Sequence, residues 1–153
     1  MAETDLYLPL KAFMEAAGYS VKGEVNGCDL VGVTETDPPV VVVCEMKLAF
    51  NLELVMQAVQ RAAFCDEVWL AARASRTGRG READARFRNL CRRLGFGMLT
   101  VSASGAVEVV VGPPVDGAAT ETAIQHANED YHPRRRLTRV PTSQRTFTLA
   151  KSM

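Results

Sequence analysis

The chain is short of the residues that build the common zinc sites. It has two histidines, both near the C-terminus, and its cysteines are widely spaced at Cys28, Cys44, Cys65 and Cys91. Structural zinc sites take four cysteine or histidine ligands, usually including a pair of cysteines separated by about two to four residues. This spacing argues against zinc and favours reduced thiols in a cytoplasmic protein.

The sequence also lacks a charge excess and a long apolar run. Lysine plus arginine and aspartate plus glutamate number 18 each in 153 residues, so the net charge indicates no polyanionic partner. No apolar run approaches the roughly 20 residues that cross a bilayer, and the N-terminal sequence lacks the pattern of a secretory signal. We therefore expect a cytoplasmic globular protein without a membrane segment.

The most informative stretch is Val40–Lys47, whose sequence VVVVCEMK predicts a buried strand that ends in an acid and a base. Side chains alternate between the faces of a strand, so Glu45 and Lys47 share a face, roughly 6 to 7 Å apart at their Cα atoms. An unpaired buried charge costs several kcal/mol. The pattern therefore indicates a compensating partner, which is the other charge, a third side chain or a metal ion.

Local patterns before this stretch predict a helix followed by strands. The predicted segments are a helix over Leu6–Ala17 that ends at Gly18, an extended segment over Tyr19–Val25, and a strand over Cys28–Val33. The short connection Thr34–Pro39 favours an antiparallel hairpin between the strand Cys28–Val33 and the strand Val40–Lys47.

The stretch Asn51–Phe64 predicts an amphipathic helix with Asn51 as its N-cap. The predicted apolar face consists of Leu52, Val55, Met56, Val59, Ala62 and Ala63. The predicted polar face consists of Glu53, Gln57, Gln60 and Arg61. Because this polar stripe begins just after Lys47, it points either at the ends of the strands or at solvent.

The remaining patterns predict a strand over Glu67–Ala72, a loop rich in glycine and arginine, a helix over Glu82–Leu94 and a terminal hairpin over 96–111. A strand, a crossover helix and a further strand indicate parallel pairing within a mixed sheet. We expect one folded domain over 1–111 and a mostly flexible basic tail over 112–153. The arginines at positions 134, 135, 136 and 139 either contact phosphates or form a solvated tail.

Two acids and a lysine on the predicted hairpin give the spacing D-x15-E-x-K, formed by Asp29, Glu45 and Lys47. Two carboxylates at roughly 4 Å repel by about 4 kcal/mol in an effective dielectric near 20, and a divalent cation reverses this cost. Carboxylates, a backbone carbonyl and water suit Mg²⁺ or Mn²⁺. Asp29, Glu45 and the Met46 carbonyl would hold the metal, and Lys47 would orient the attacking water.

These residues and their order resemble the PD-(D/E)XK nuclease superfamily over about residues 3–72. The run from Glu3 to Val31 and the QAVQR helix are most similar to a bacterial family described as PD-(D/E)XK phosphodiesterases of unknown biological role. Cys28 replaces the proline of the superfamily name, which contributes no ligand. The resemblance implies an α/β fold with a restriction-endonuclease-like α-β-β-β-α-β core, in which a mixed central sheet is flanked by helices.

The resemblance further implies a Mg²⁺-dependent hydrolase of nucleic acid, with DNA favoured over RNA, and a homodimer as one of its states. It gives supporting roles to Glu3, Gln57 and Arg61. Simpler readings stay open for these three, because Glu3 suits a helix start and the others suit a solvated stripe. The alternative function is a catalytically inactive nuclease fold that binds nucleic acid or protein.

Overall fold

The computed structural model describes residues 2–25 and 27–112, which form a six-stranded sheet with helices on both faces. The α-helices are α1 (Tyr7–Ala16), α2 (Leu52–Ala62) and α3 (Ala85–Leu94). Short 3₁₀ helices span Glu3–Leu6 and Arg81–Ala83. The strands are β1 (Ser20–Val25), β2 (Cys28–Val33), β3 (Val41–Lys47), β4 (Glu67–Arg73), β5 (Gly97–Val101) and β6 (Val107–Val111). The predicted basic tail lies outside the described residues.

The strands lie in chain order across the sheet. Antiparallel pairing joins β1 to β2, β2 to β3 and β5 to β6, whereas β3, β4 and β5 are parallel. The predicted hairpin and the predicted parallel pairing are both confirmed. As a result, the start of β2 and the ends of β3 and β4 lie at the same edge of the sheet.

Helix α1 packs on one face of the sheet, close to the position that the sequence predicts. A 3₁₀ helix precedes it, so Pro9 falls in its first turn, where a missing backbone N–H costs least. Gly18 ends the helix with a φ of +98°, in the left-handed region that favours glycine. Trp69 of β4 is buried beneath this helix, and the ring of Phe13 meets its edge at 6.3 Å between centroids.

Helix α2 packs on the opposite face of the sheet. The prediction of its buried face is mostly wrong, because most residues of the predicted apolar face are exposed. The exposed members of that face are Leu52 (63% exposed), Met56 (54%) and Val59 (50%), together with Ala62 and Ala63. The buried residues of the helix are Leu54, Val55 and Ala58. These three residues belong to the hydrophobic core between α2 and the sheet. The observed rotation brings Arg61 to the sheet, where it pairs with Glu45, and leaving that buried carboxylate unpaired would cost several kcal/mol.

Helix α3 begins at Ala85 and not at the predicted Glu82. The Asp84 side chain caps it by accepting a hydrogen bond of 2.9 Å from the Arg86 backbone N–H. Glu82 instead accepts a hydrogen bond of 2.8 Å from the Ser75 backbone N–H, which ties it to the preceding loop. The predicted end of the helix is confirmed, because Gly95 has a φ of +78°.

All four cysteines are buried free thiols that take part in packing. Burial raises the pKa of the Cys91 thiol to about 11, so this thiol stays protonated at neutral pH. Within residues 2–25 and 27–112, no helix has both the length and the apolar character needed to cross a bilayer.

Candidate active site

The antiparallel pairing of β2 with β3 brings Asp29 and Glu45 together at the edge of the sheet. The register of the two strands ends at the pair Leu30 and Cys44, and Asp29 and Glu45 are the residues directly next to this pair. A hydrogen bond joins the two carboxyl groups. The Asp29 carboxylate accepts a hydrogen bond of 2.9 Å from the Met46 backbone N–H. Asp29 is half-buried, whereas Glu45 is only 2% exposed.

Arg61 of α2 is the cation that compensates Glu45. Its Nε donates to Glu45 Oε1 at 2.5 Å, and its Nη2 donates to the Gly27 carbonyl oxygen at 2.7 Å. The Arg61 side chain is 20% exposed, so this ion pair lies at the boundary of the core. Within the described residues no ion pair joins Glu45 to Lys47, so the simple surface pair between these two residues does not form.

Several effects act on the Glu45 carboxyl, and together they raise its pKa. Burial raises the pKa most, the hydrogen bond from Arg61 lowers it, and a hydrogen bond with Asp29 and the negative charge of Asp29 raise it again. In return, the hydrogen bond to Glu45 raises the pKa of the Arg61 guanidinium. The two carboxyls therefore form a site that favours an added proton or a further cation.

A cavity of about 380 Å³ opens beside this pair. It is lined by Thr4, Tyr7, Gly23, Glu24, Asp29 and Met46. Glu24 therefore brings another carboxyl group to the cavity wall, and its backbone has a φ of +51°, which is uncommon for a residue with a Cβ. The N-terminal 3₁₀ helix contributes Thr4 to this wall, and Glu3 of the same helix is half-buried.

Sequence reasoning missed the Tyr7 side of the cavity. A Cβ at Gly23 would lie 2.6 Å from Tyr7 Cε2, so the tyrosine ring packs directly on the backbone of β1. A glycine inside a strand is the available signal, because it often marks a close approach of another group. The partner of Gly23, however, is fixed only by the packing of α1 on the sheet.

Lys47 and Gln57 are two further residues that the sequence assigned to the site. Lys47 is the last residue of β3, is half-buried, and pairs in register with Ala72 of β4. It shares a strand face with Glu45 because the two are two positions apart. Gln57 is half-buried on α2, one turn before Arg61.

The donors at the edge suit Mg²⁺ better than a metal that needs a complete protein cage. Among residues 2–25 and 27–112, no three histidine, cysteine, aspartate or glutamate side chains form a metal-binding group. Mg²⁺ commonly takes only one or two carboxylates and fills its remaining positions with water and substrate oxygens. The neighbouring carboxyls of Asp29 and Glu45 fit this requirement, and their mutual repulsion is the cost that a cation removes.

No protein-family model, curated protein or solved structure matches this chain. The resemblance to PD-(D/E)XK nucleases therefore stays a prediction from the order of Asp29, Glu45 and Lys47 in the sequence.

Proposed function

We propose that the chain is a Mg²⁺-dependent phosphodiesterase that hydrolyses nucleic acid on a restriction-endonuclease-like core. The observation that carries the proposal is the pair of neighbouring carboxyls, Asp29 and Glu45, at a strand end that also bears Lys47. The order α1-β1-β2-β3-α2-β4 supports it, because this is the α-β-β-β-α-β order of that core. The adjacent cavity gives a substrate access to Asp29.

Each residue has a defined role in this proposal. Asp29 and Glu45 hold the cation, with the Met46 carbonyl as a further ligand. The bound cation supplies Lewis-acid stabilisation of the charge that develops on the phosphate. Lys47 orients the attacking water and offsets phosphate charge, while Arg61 positions the Glu45 carboxylate through its hydrogen bond.

The ion pair of Arg61 with Glu45 favours a second candidate, a nuclease fold that binds nucleic acid without cleaving it. The guanidinium already compensates one of the two carboxylates, so the fold needs no metal to bury Glu45. Such a module would bind nucleic acid equally well with and without Mg²⁺. Cleavage assays therefore separate the two candidates.

The deciding experiment measures cleavage of labelled DNA and RNA, single-stranded and duplex, with Mg²⁺ and with a chelator. We expect Mg²⁺-dependent cleavage that falls by at least about 100-fold in Glu45→Gln and in Lys47→Ala. The matched controls are Glu53→Gln for Glu45→Gln and Lys22→Ala for Lys47→Ala, because each removes an exposed charge of the matching sign from a residue that does not line the cavity. Equal residual cleavage in all four variants would place the activity elsewhere.

Metal binding is tested separately by calorimetric titration with Mg²⁺ and Mn²⁺. We expect heat of binding in the wild type and its loss in Asp29→Ala, while circular dichroism shows that the variant remains folded. Heat that survives in Asp29→Ala would contradict the proposed ligands. Absence of heat in the wild type, together with retained binding of nucleic acid, would favour the inactive module.

A further inference from the structure

A second, larger cleft lies on the other side of Lys47. It encloses about 510 Å³ and is lined in part by Leu48, which directly follows Lys47, and by Arg73, the last residue of β4. Met46, which directly precedes Lys47, lines the cavity of about 380 Å³ beside Asp29, which we call the carboxylate cavity. Three successive residues of the chain therefore run from one cavity, past Lys47, into the other.

The cleft carries an excess of positive charge. Four arginines line it, namely Arg73, Arg79, Arg81 and Arg86, against two carboxylates, Glu82 and Asp84. Asp84 is engaged by Arg86 at 3.4 Å, and the Arg81 guanidinium lies 5.7 Å from the centroid of the Phe87 ring. Within the described residues, Arg73 and Arg79 form no ion pair. Two cations of the cleft are thus left for an anion from outside.

The loop that bears Arg79 is held by hydrogen bonds and by close packing. The Gly80 backbone N–H donates to Ser75 Oγ at 3.1 Å, and the Ser75 backbone N–H donates to Glu82 Oε1 at 2.8 Å. Burial raises the pKa of Glu82, but hydrogen bonds from the Ser75 hydroxyl and from the backbone N–H groups of Ser75 and Glu82 together lower it, so Glu82 stays ionised and keeps the link. A fixed loop reduces the ordering cost of binding for the arginines that it presents.

We propose that this arginine cleft binds phosphates of the nucleic-acid strand that flank the phosphate held at Asp29 and Glu45. Arginine suits this ligand because its planar guanidinium donates to phosphate oxygens in pairs. Met46 lines one cavity and Leu48 the other, so in this proposal the strand passes Lys47 between the two. The choice of nucleic acid as the ligand rests on the proposed function, whereas the uncompensated arginines stand independently of it.

The test measures binding of labelled oligonucleotides by fluorescence anisotropy in a chelator, so that cleavage plays no part. Arg73→Gln/Arg79→Gln is compared with the matched control Lys22→Gln/Arg93→Gln, which removes two exposed cations outside the cleft. Each phosphate contact contributes about 0.9 to the slope of log affinity against log salt for duplex DNA. We expect the slope for the cleft variant to be smaller than that of the wild type by about two units. Between about 50 and 200 mM salt, the affinity of the cleft variant should therefore fall by roughly tenfold less than that of the wild type.

Each outcome decides the inference. Equal loss in both double variants, or unchanged binding in the cleft variant, would overturn it, as would failure of the wild type to bind any oligonucleotide. Competition by polyglutamate as strong as that by an unlabelled oligonucleotide would also overturn it, in favour of an acidic protein. Arginine-dependent binding without Mg²⁺-dependent cleavage would uphold the cleft and reject the phosphodiesterase. Thermal melts confirm folding, and Arg79→Gln alone replaces a double variant that fails to fold.

Discussion

The two cavities differ in whether the charged side chains at each one have an ion-pair partner. Beside the carboxylate cavity, the buried Glu45 already has a cation, because Arg61 donates to it from α2. In the arginine cleft, Arg79 is exposed and forms no ion pair with any described residue. The buried Glu45 is therefore compensated from within the fold, whereas Arg79, which water reaches, is not.

This difference separates stability from binding. Removing one partner of a buried ion pair leaves the other charge uncompensated in the protein interior, which destabilises the fold. Interactions of an exposed arginine contribute little to stability, so changing them has a small effect. We therefore expect substitutions near Glu45 to act first on folding and substitutions in the arginine cleft to act first on ligand affinity.

The largest expected effect comes from the same substitution made in each region. Arg61→Met should lower the free energy of unfolding by about 3 kcal/mol, near the lower end for a broken buried pair, since Arg61 keeps some exposure. Arg79→Met should change it by less than about 0.5 kcal/mol, as is usual for an exposed site. Urea denaturation at neutral pH measures both values.

A double-mutant cycle shows whether the ion pair is the cause. Glu45→Gln added to Arg61→Met removes the stranded charge and should recover much of the lost stability, giving a coupling of about 1 to 3 kcal/mol. Lowering the pH should also narrow the gap between Arg61→Met and the wild type, because protonation neutralises Glu45. Additive effects of the two substitutions would mean that Arg61 acts through packing.

A change of pH should have a smaller effect on the stability of the fold, and this effect should have opposite signs at Glu45 and at Glu82. The pKa of Glu45 is raised above its ordinary value of 4.5, so its contribution to stability is fully present below pH 4.5 and is lost as the pH rises through the raised pKa. The pKa of Glu82 is lowered from 4.5, so its contribution is present above pH 4.5 and is lost as the pH falls through the lowered pKa.

Thermal melting across pH tests both signs. Glu45→Gln should remove part of the decline in stability above pH 4.5, and Glu82→Gln should remove part of the decline below it. Each variant serves as the control for the other, because both replace a carboxylate with an amide that still accepts hydrogen bonds. A Glu45→Gln profile parallel to that of the wild type above pH 4.5 would contradict the raised pKa.

Local sequence signals were sufficient for most elements of the fold. The strand β2 has the predicted bounds, and Asn51 caps α2 by accepting a hydrogen bond from the Leu54 backbone N–H. The carboxyl pair depends on the same kind of signal, because a short hairpin leaves few registers and Asp29 and Glu45 lie directly next to the last register pair, Leu30 and Cys44. Strand alternation and turn residues act over a few positions and are therefore legible in the sequence.

The parts that could not be predicted depend on contacts between distant segments. The sequence pattern predicted the wrong buried face for α2, because the burial of Leu54 and Ala58 and the pairing of Arg61 with Glu45 are set by the packing of the helix on the sheet. The arginine cleft likewise combines the end of β4 with a loop and the start of α3. Gly23 was visible in the sequence, but the tyrosine ring that covers it comes from α1.

The smallest expected effects come from two glycine substitutions that separate chemistry from binding. A Cβ at Gly80 would overlap Glu82 Oε2, so Gly80→Ala displaces the carboxylate that ties the arginine loop. A Cβ at Gly23 would displace the ring of Tyr7 at the carboxylate cavity. Each should cost about 1 kcal/mol in the free energy of unfolding, a modest value because a side chain can move away.

Their functional effects should divide between the two cavities. Gly80→Ala should weaken oligonucleotide binding a few-fold, since a looser loop adds about 0.5 to 1.5 kcal/mol of ordering cost for each immobilised side chain. Gly23→Ala should leave that affinity unchanged in a chelator and lower the rate of Mg²⁺-dependent cleavage. If both variants lowered binding and cleavage by the same factor, the two cavities would act as a single site, and the separation of stability from binding would hold only at Arg61.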